Sequence, residues 1–251
     1  MPSISAAMVA IGDELLSGRT RDANIHHLSG WLTERGIRLV EVRIIEDDLG
    51  AIAAAVNALR TRFDYVFTSG GIGPTHDDIT YEAIARAFDR PCTPHPEAMA
   101  LITTWYEAKG QAVTPERARM ALMPEGATLI HNTASGAPGV QLDNVFVLAG
   151  VPRIFQAMLT AIDPVLTRGV RRYSKAVTAH GLPESKLARQ LADIQAALNG
   201  VSIGSYPIDG DEWGVTVVVR SESEMLVNQV IVSVRAAMQA LGADPVDGDR
   251  K

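Results

Sequence analysis

Cysteine is nearly absent from this chain: Cys92 stands alone among 251 residues. A single thiol excludes an intramolecular disulfide framework and suits a reducing cytoplasm. A dominant charge of one sign is missing too. The formal net charge of −6 and a pI near 5.5 provide no general polyanion-binding surface, so nucleic acid is not expected as a main partner. No apolar run is long. Met8 to Ile11 stops at Gly12-Asp13-Glu14, far short of a signal-peptide core or a membrane span. No Cys/His set fit for zinc occurs, and His26 and His27 are adjacent on an expected helix, positions that do not face each other. Ser17 and Ser69 have no general base nearby in sequence, which leaves a Ser-His-Asp hydrolase unsupported. Neither an internal repeat nor a low-complexity segment is present. The expectation is a soluble cytoplasmic protein without membrane contact.

What is present is globular composition, 47% hydrophobic and 21% charged, with room for a medium domain and a small one. Ala7 to Ile11 reads as a buried parallel strand. A helix from about Asp22 carries Ile25, Leu28, Trp31 and Leu32, with Gly36 placed to end it. Ile37 to Ile45 alternates like a strand, and Ile52, Val56, Leu59 and Phe63 mark the next helix. Asp64 to Thr68 is a further strand, rich in β-branched and aromatic residues. Such alternation predicts a three-layer α/β/α domain with a mostly parallel sheet over residues 1–170. Helices are expected over Pro96 to Lys109 and Pro115 to Met123, then a strand at Ala127 to Ile130. A hairpin follows, turning at Asp143-Asn144, and a helix carries Ile154, Met158, Ile162 and Leu166. Past a basic link at Thr167 to Arg172, the pattern β-α-β-β-α over 171–242 predicts a second, smaller α+β domain. Residues 243–251 read as a disordered tail.

The chain is organised around Thr68-Ser69-Gly70-Gly71-Ile72-Gly73-Pro74-Thr75-His76-Asp77-Asp78-Ile79-Thr80. This loop joins a strand's C-terminal end to a helix N-terminus, the place where open α/β sheets bind ligands. Gly70, Gly71 and Gly73 let backbone N–H groups approach an anion closely. Asp77 and Asp78 would repel a phosphate unless a divalent cation bridges them, as Mg²⁺ does with carboxylates and substrate phosphates. A tight turn with Asp78 or Thr80 as helix N-cap is the plainer alternative. Asp13 and Glu14 also follow a strand end, as do Asp47 and Asp48, where N-capping before Leu49 is the better local reading. In a parallel sheet all these ends share one edge, so Asp13, Asp47 and Asp77 or Asp78 are able to converge there. Several carboxylates in one cleft call for a cation or proton. His76 reads as a solvated loop side chain, and Arg19 and Arg153 as the nearest choices for neutralising phosphate.

The run from Gly70 to Thr80 resembles the signature of the MoaB/Mog molybdopterin-binding superfamily, most closely its CinA and FAD-synthase-associated branches. Gly12-Asp13-Glu14-Leu15-Leu16-Ser17-Gly18 is similar to the first motif of CinA-like proteins, and Met123-Pro124-Glu125-Gly126-Ala127 to their MP-x-GA element. Asn132 with Gly136-Ala137-Pro138-Gly139 resembles the pocket-building N…G-x-APG loop. Leu148-Ala149-Gly150-Val151-Pro152 departs from the usual LPGVP at Ala149, a change of loop stiffness more than chemistry. The resemblance covers residues 6–167 strongly and 173–241 more weakly. It implies function for Asp47 and Asp78, a Mg²⁺-type metal on both with help from Asp13, and a phosphorylated ligand, molybdopterin or an adenine nucleotide. The ligand loop would comprise Ser69, Gly70, Gly71, Gly73, Pro74, Thr75, Asp77 and Thr80, joined by Gly12, Asp13, Glu14, Asn132, Gly136, Pro138 and Gly139. The implied activities are pyrophosphatase action on ADP-ribose or a related dinucleotide, or adenylylation of molybdopterin in molybdenum cofactor biosynthesis. A non-catalytic binding module and a role in FAD metabolism are the other readings. The resemblance also implies a homo-oligomer, dimer or trimer.

Overall fold

The computed structural model describes residues 4–248 and divides into two compact units that meet between Gly169 and Val170. In the first unit the chain runs β1 (Ser5–Ile11), α1 (Asp13–Leu16), α2 (Asn24–Glu34), β2 (Arg38–Ile45), α3 (Leu49–Arg60), β3 (Tyr65–Ser69) and α4 (Thr80–Ala87). It continues through β4 (Cys92–Pro94), α5 (Pro96–Glu107), α6 (Pro115–Arg119), β5 (Leu122–Pro124), β6 (Thr128–Ile130), β7 (Gly139–Leu142), β8 (Val145–Leu148) and α7 (Pro152–Ile162).

The main sheet has the order β2-β1-β3-β8-β7-β6, with β2, β1, β3 and β8 parallel and β7 antiparallel to both neighbours. Strand β1 lies inside the sheet and is apolar on both faces: Ala6 to Ala10 are fully buried. Edge strand β2 alternates instead, with every second residue exposed. The chain moves from β1 to β2 and then back across β1 to β3. Right-handed crossovers therefore put α2 on one face and α3 on the other. The packing agrees, since α3 lies against α4 and α2 against α7. The layers share a core in which Phe67 and Phe146 stack at 5.2 Å between ring centroids.

Two local expectations are corrected. The helix expected over Pro115 to Met123 ends at Arg119, because Leu122 to Pro124 pair with Cys92 to Pro94 as an antiparallel ribbon. Met123 is buried by that pairing rather than by a helix face. In addition, neither Asp78 nor Thr80 caps α4: the N-cap position is Ile79 and carries no side-chain bond.

The second unit comprises β9 (Tyr173–His180), α8 (Glu184–Ala196), β10 (Val201–Ile208), β11 (Gly214–Ser221), α9 (Glu224–Ala240) and β12 (Val246–Asp247). Its antiparallel sheet has the order β10-β11-β9-β12, so it is α+β. Val177, Ala179, Val215, Val217 and Val219 from the sheet meet Leu187, Val227, Val230 and Val234 from the helices in its core. The tail expected to be disordered from 243 is corrected over 243–248. Val246 and Asp247 pair with β9 and cover its edge, Gly248 N donates to Ala176 O at 3.1 Å, and Arg235 bonds both Pro245 O and the Asp247 carboxylate. Residues 249–251 lie outside the described residues.

Candidate functional site

The chain reverses direction across the sheet between β1 and β3, and the crevice at such a switch point is where α/β sheets take ligands. A cavity of about 520 Å³ opens there. Ile11 and Gly12 after β1, Asp47 after β2, Gly70 to Pro74 after β3 and Ala149 to Val151 after β8 all line it. Four parallel strand ends thus deliver four loops to one place. The remaining wall is Trp105 and Tyr106 of α5, Met120, the Ser135 to Ala137 loop, and Ile154 and Met158 of α7.

The Gly loop is held by its own backbone. Gly70 N donates to Leu148 O at 3.2 Å, and its φ of 110° lies where side chains strain. A Cβ there would lie 2.3 Å from the Ile11 carbonyl oxygen. Thr80 closes the loop from behind: its N–H donates to Gly71 O at 2.9 Å and its hydroxyl to Gly70 O at 2.9 Å. Asp78 accepts from Thr75 N at 2.8 Å and from the Thr75 hydroxyl at 2.5 Å, which folds the loop tip. These bonds leave the N–H groups of Gly71, Ile72 and Gly73 with no acceptor among the described residues. Three successive free N–H groups form the kind of concavity that binds anions.

The carboxylates gather around Asp47. Asp47 Oδ2 accepts from Asp13 N at 3.1 Å, and Asp13 Oδ1 accepts from Asp47 N at 3.4 Å, which pins the loops after β1 and β2 together. Burial first, and then the negative charges of Asp13, Glu14 and Asp77, hold the Asp47 carboxyl above the ordinary aspartate range. Asp48 is the α3 N-cap, accepting from Ala51 N at 2.7 Å. The cavity lining includes Glu14, Asp47, Asp77 and Asp78 but no Lys or Arg. Arg153 Nη2 instead donates to Ala134 O at 3.4 Å.

The expected metal set of Asp13, Asp47 and Asp78 is not assembled. Among the described residues no three His, Cys, Asp or Glu side chains form a group able to hold an ion. One oxygen of each is already hydrogen-bonded: Asp78 Oδ2 by Thr75, Asp13 Oδ1 by Asp47 N and Asp47 Oδ2 by Asp13 N. A cation held by one or two carboxylates and completed by ligand phosphates needs no such triad. The half-buried Asp47, crowded by the charges of Asp13, Glu14 and Asp77, fits that smaller role.

The other expected site residues divide by position. Gly12, Glu14, Gly70, Gly71, Gly73, Pro74, Asp77 and Gly136 line the cavity with Asp47 and Asp78. Asp13, Ser69, Thr75, Thr80, Asn132, Pro138 and Gly139 are not in that lining, though Asn132 and Pro138 line a neighbouring cavity of about 390 Å³ that shares Trp105 and Gly136 with it. Asn132 Oδ1 accepts from Ala134 N and Ser135 N, and its Nδ2 donates to Ala137 O, which shapes the loop that presents Gly136. Pro138 O accepts from the buried Tyr81 hydroxyl at 2.7 Å, tying that loop to α4. Gly136 packs so closely that a Cβ would lie 2.3 Å from Trp105 Cβ. Sequence reading missed Trp105, Tyr106, Met120 and Asn24. Asn24 Nδ2 bridges Ser69 Oγ at 2.8 Å and Gly150 O at 2.7 Å, locking β3 to the loop after β8. A polar residue in the first turn of an expected helix beside the sheet's ligand edge was its only signal.

A mostly parallel α/β domain with a glycine-rich loop at its switch point, followed by a small α+β unit, defines the class of protein. Residues 7–168 match the family described as the probable molybdopterin binding domain, and residues 171–246 match the middle domain of FAD synthase. The chain belongs to the molybdopterin-binding domain family, in its CinA-like MoaB/Mog branch. A CinA-like protein of Desulfosudis oleivorans is 37% identical over 209 residues, 79% of this chain but 51% of that protein. The chain therefore spans about half the length of that relative. A Pyrococcus abyssi protein is 34% identical over 242 residues, 91% of this chain and 94% of the relative. A crystal structure of the protein CinA, of unknown function, from Thermoplasma acidophilum is 32% identical with a TM-score of 0.60. It covers 65% of this chain and 98% of that one. No described helix is long and apolar enough to cross a membrane.

Proposed function

We propose that the cavity binds a phosphorylated pterin or nucleotide together with a divalent cation, and that the protein is a metal-dependent pyrophosphatase acting on ADP-ribose or a related dinucleotide. One observation carries this reading: three unbonded N–H groups, at Gly71, Ile72 and Gly73, share a cavity with four carboxylates and no basic side chain. The N–H row suits a phosphate, and the carboxylates suit a cation between themselves and that phosphate. A volume of about 520 Å³ suits a pterin or nucleotide rather than a lone phosphate.

Asp47 is the proposed cation ligand, with Asp77 or Asp78, both in the cavity lining, as its partner. A bound divalent cation supplies charge neutralisation at the bridging phosphates and a water of lowered pKa. The chain's own groups do the rest. Gly71, Ile72 and Gly73 orient one phosphate, and Asp47, Asp77 and Glu14 favour neutralised over free phosphate. Ile72, Trp105, Met120, Ile154 and Met158 form an apolar wall for a flat ring and keep bulk water from it.

The test is AMP or phosphate release from ADP-ribose, FAD, NAD and adenylylated molybdopterin, each with Mg²⁺, Mn²⁺, Co²⁺ or EDTA. The match of residues 171–246 to the FAD synthase middle domain is the reason FAD belongs in the panel. Metal-dependent release of AMP from one member supports the pyrophosphatase and names its substrate class. A flat panel in which ligands still raise the melting temperature sinks hydrolysis. It would leave adenylylation of molybdopterin or a binding module.

A further inference from the structure

The cavity of about 390 Å³ that adjoins the ligand cavity shares Trp105, Ser135 and Gly136 with it. One of its walls is a face of α5, where Glu97, Leu101 and Thr104 follow one another at helical spacing. The other wall is the loop after β6, with His131, Asn132 and Gly136. Gly136 is what brings the walls together. A Cβ there would lie 2.3 Å from Trp105 Cβ, so the loop packs on α5 at the residues that both cavities share.

The two cavities differ in chemistry. The first offers the free N–H groups of the Gly loop, which suit a phosphate. The second contains no part of that loop, and its lining holds no Lys or Arg. It presents a carboxylate, a hydroxyl and an imidazole beside the apolar Ala100, Leu101 and Pro138. Glu97 Oε1 lies 3.4 Å from His131 Nε2, a contact that joins the two walls. Glu97 Oε2 and the Thr104 hydroxyl have no partner among the described residues. An open carboxylate oxygen accepts from sugar hydroxyls, as an acidic side chain does for the ribose in dinucleotide sites. A phosphate in the same place would meet negative charge with no fixed cation to offset it.

On the reading that the first cavity binds a phosphorylated nucleotide, we propose that the second cavity is the subsite for the terminal ribosyl group of a dinucleotide or of ADP-ribose. The adenosine diphosphate half fills the first cavity, with a phosphate on Gly71 to Gly73. The ligand crosses at Trp105 and Gly136, and Glu97 and Thr104 take the hydroxyls of the second ribose. Size agrees with this. A cavity of about 520 Å³ suits one nucleotide, and a dinucleotide needs the adjoining space as well. The second cavity is wider than a ribose, which leaves room for a base attached to it.

Titration calorimetry on the full chain with Mg²⁺ tests this, using the α,β-methylene analogues of ADP-ribose and of ADP, neither of which is cleaved at the bridge. The two share the half assigned to the first cavity, and one of them carries the terminal ribose. Wild type should prefer the ADP-ribose analogue by about tenfold. Ala100 is an exposed position of the α5 wall, so A100W should block the subsite without disturbing the core. It should abolish the preference while the ADP analogue binds as it does to wild type. E97A should weaken the ADP-ribose analogue by about tenfold, and E97Q, which keeps an acceptor oxygen, should recover part of that loss. Circular dichroism confirms the fold of each variant. No preference in wild type, or one that A100W and E97A both leave intact, would overturn the subsite. So would A100W weakening both analogues alike, which would put their common half in the second cavity. A change in sedimentation by A100W with both affinities intact would make the groove a protein contact and overturn it too. If neither analogue bound wild type, the nucleotide reading of the first cavity would itself fail, and the subsite with it.

Discussion

Gly70→Ala isolates what holds the ligand loop in place. The new methyl would lie 2.3 Å from the Ile11 carbonyl oxygen, a backbone atom on a strand bonded to β2 and β3 on its two sides. Retreat in another direction is blocked, because Gly70 N is bonded to Leu148 O and Gly150 packs against the Gly70 Cα. Two terms add. A non-Gly residue at φ 110° costs about 1–3 kcal/mol in backbone strain, and forcing a methyl into a packed position costs about 1–3 kcal/mol. We expect about 3 kcal/mol in all, a large share of the stability of a domain this size. Gly18→Ala is the control. Gly18 also has positive φ, 73°, but its added methyl meets nothing within 4 Å, so only strain of about 1–2 kcal/mol applies. Urea unfolding should be followed by Trp31 and Trp105 fluorescence in a Trp213→Phe background, so that only the first unit reports. Should Gly70→Ala cost no more than Gly18→Ala, the close approach of the loop to β1 is not what the geometry says.

Three further outcomes are expected. Asp47→Asn should raise the stability of the ligand-free protein by about 0.5–1 kcal/mol at pH 7, as relief of strained functional sites commonly does, and abolish any thermal shift given by Mg²⁺ or Mn²⁺. An elevated carboxyl pKa penalises the folded state only where the group is ionised, so this gain should grow as pH rises through the ordinary aspartate value and vanish at low pH. No gain at any pH in thermal melts would contradict the charge crowding at Asp47. The Arg35 guanidinium, bidentate to Asp163 at 2.6 and 3.0 Å and stacked on Trp31 at 3.8 Å, holds the Asp163 carboxyl below its usual range. Asp163→Asn should therefore cost about 1–2 kcal/mol at pH 7 in urea melts. Because the folded value is the lower one, that stability is present above the unfolded pKa and lost as pH falls through the folded one. The Cys92 thiol, pushed up to about 11 by burial and then by Glu82, should react at pH 8 with a thiol reagent far more slowly in the native than in the urea-unfolded chain. Equal rates would refute its burial.

Much of the fold was legible in the chain because periodicity reports burial directly. The apolar run to Ile11 marked an inner strand, the alternation from Arg38 to Ile45 an edge strand, and the spacing of Ile52, Val56 and Leu59 a helix face. The Gly loop and the acids after two strand ends were readable because topology sends every parallel C-terminus to one edge. Short pairings were not readable. Cys92 to Pro94 and Leu122 to Pro124 have three residues each, too few for any period, and Val246-Asp247 has two.

Tertiary structure alone decided how the acids are bonded to one another. From sequence, Asp47 and Asp78 were the expected cation ligands with help from Asp13, and nothing local separated Asp78 from Asp77. Folding bonds Asp78 Oδ2 to Thr75, Asp13 Oδ1 to the Asp47 backbone and Asp47 Oδ2 to the Asp13 backbone, and crowds Asp47 with the charges of its neighbours. It also brings Trp105 and Tyr106 into the wall from a helix some thirty residues beyond the loop, and sets Asn24 between Ser69 and Gly150. Contacts of that kind leave no trace in local pattern, because each joins side chains that only the assembled sheet makes neighbours. The chain by itself determined the elements, the loop and the edge where they meet; the packed sheet determined which side chain faces the cavity and which stands behind it.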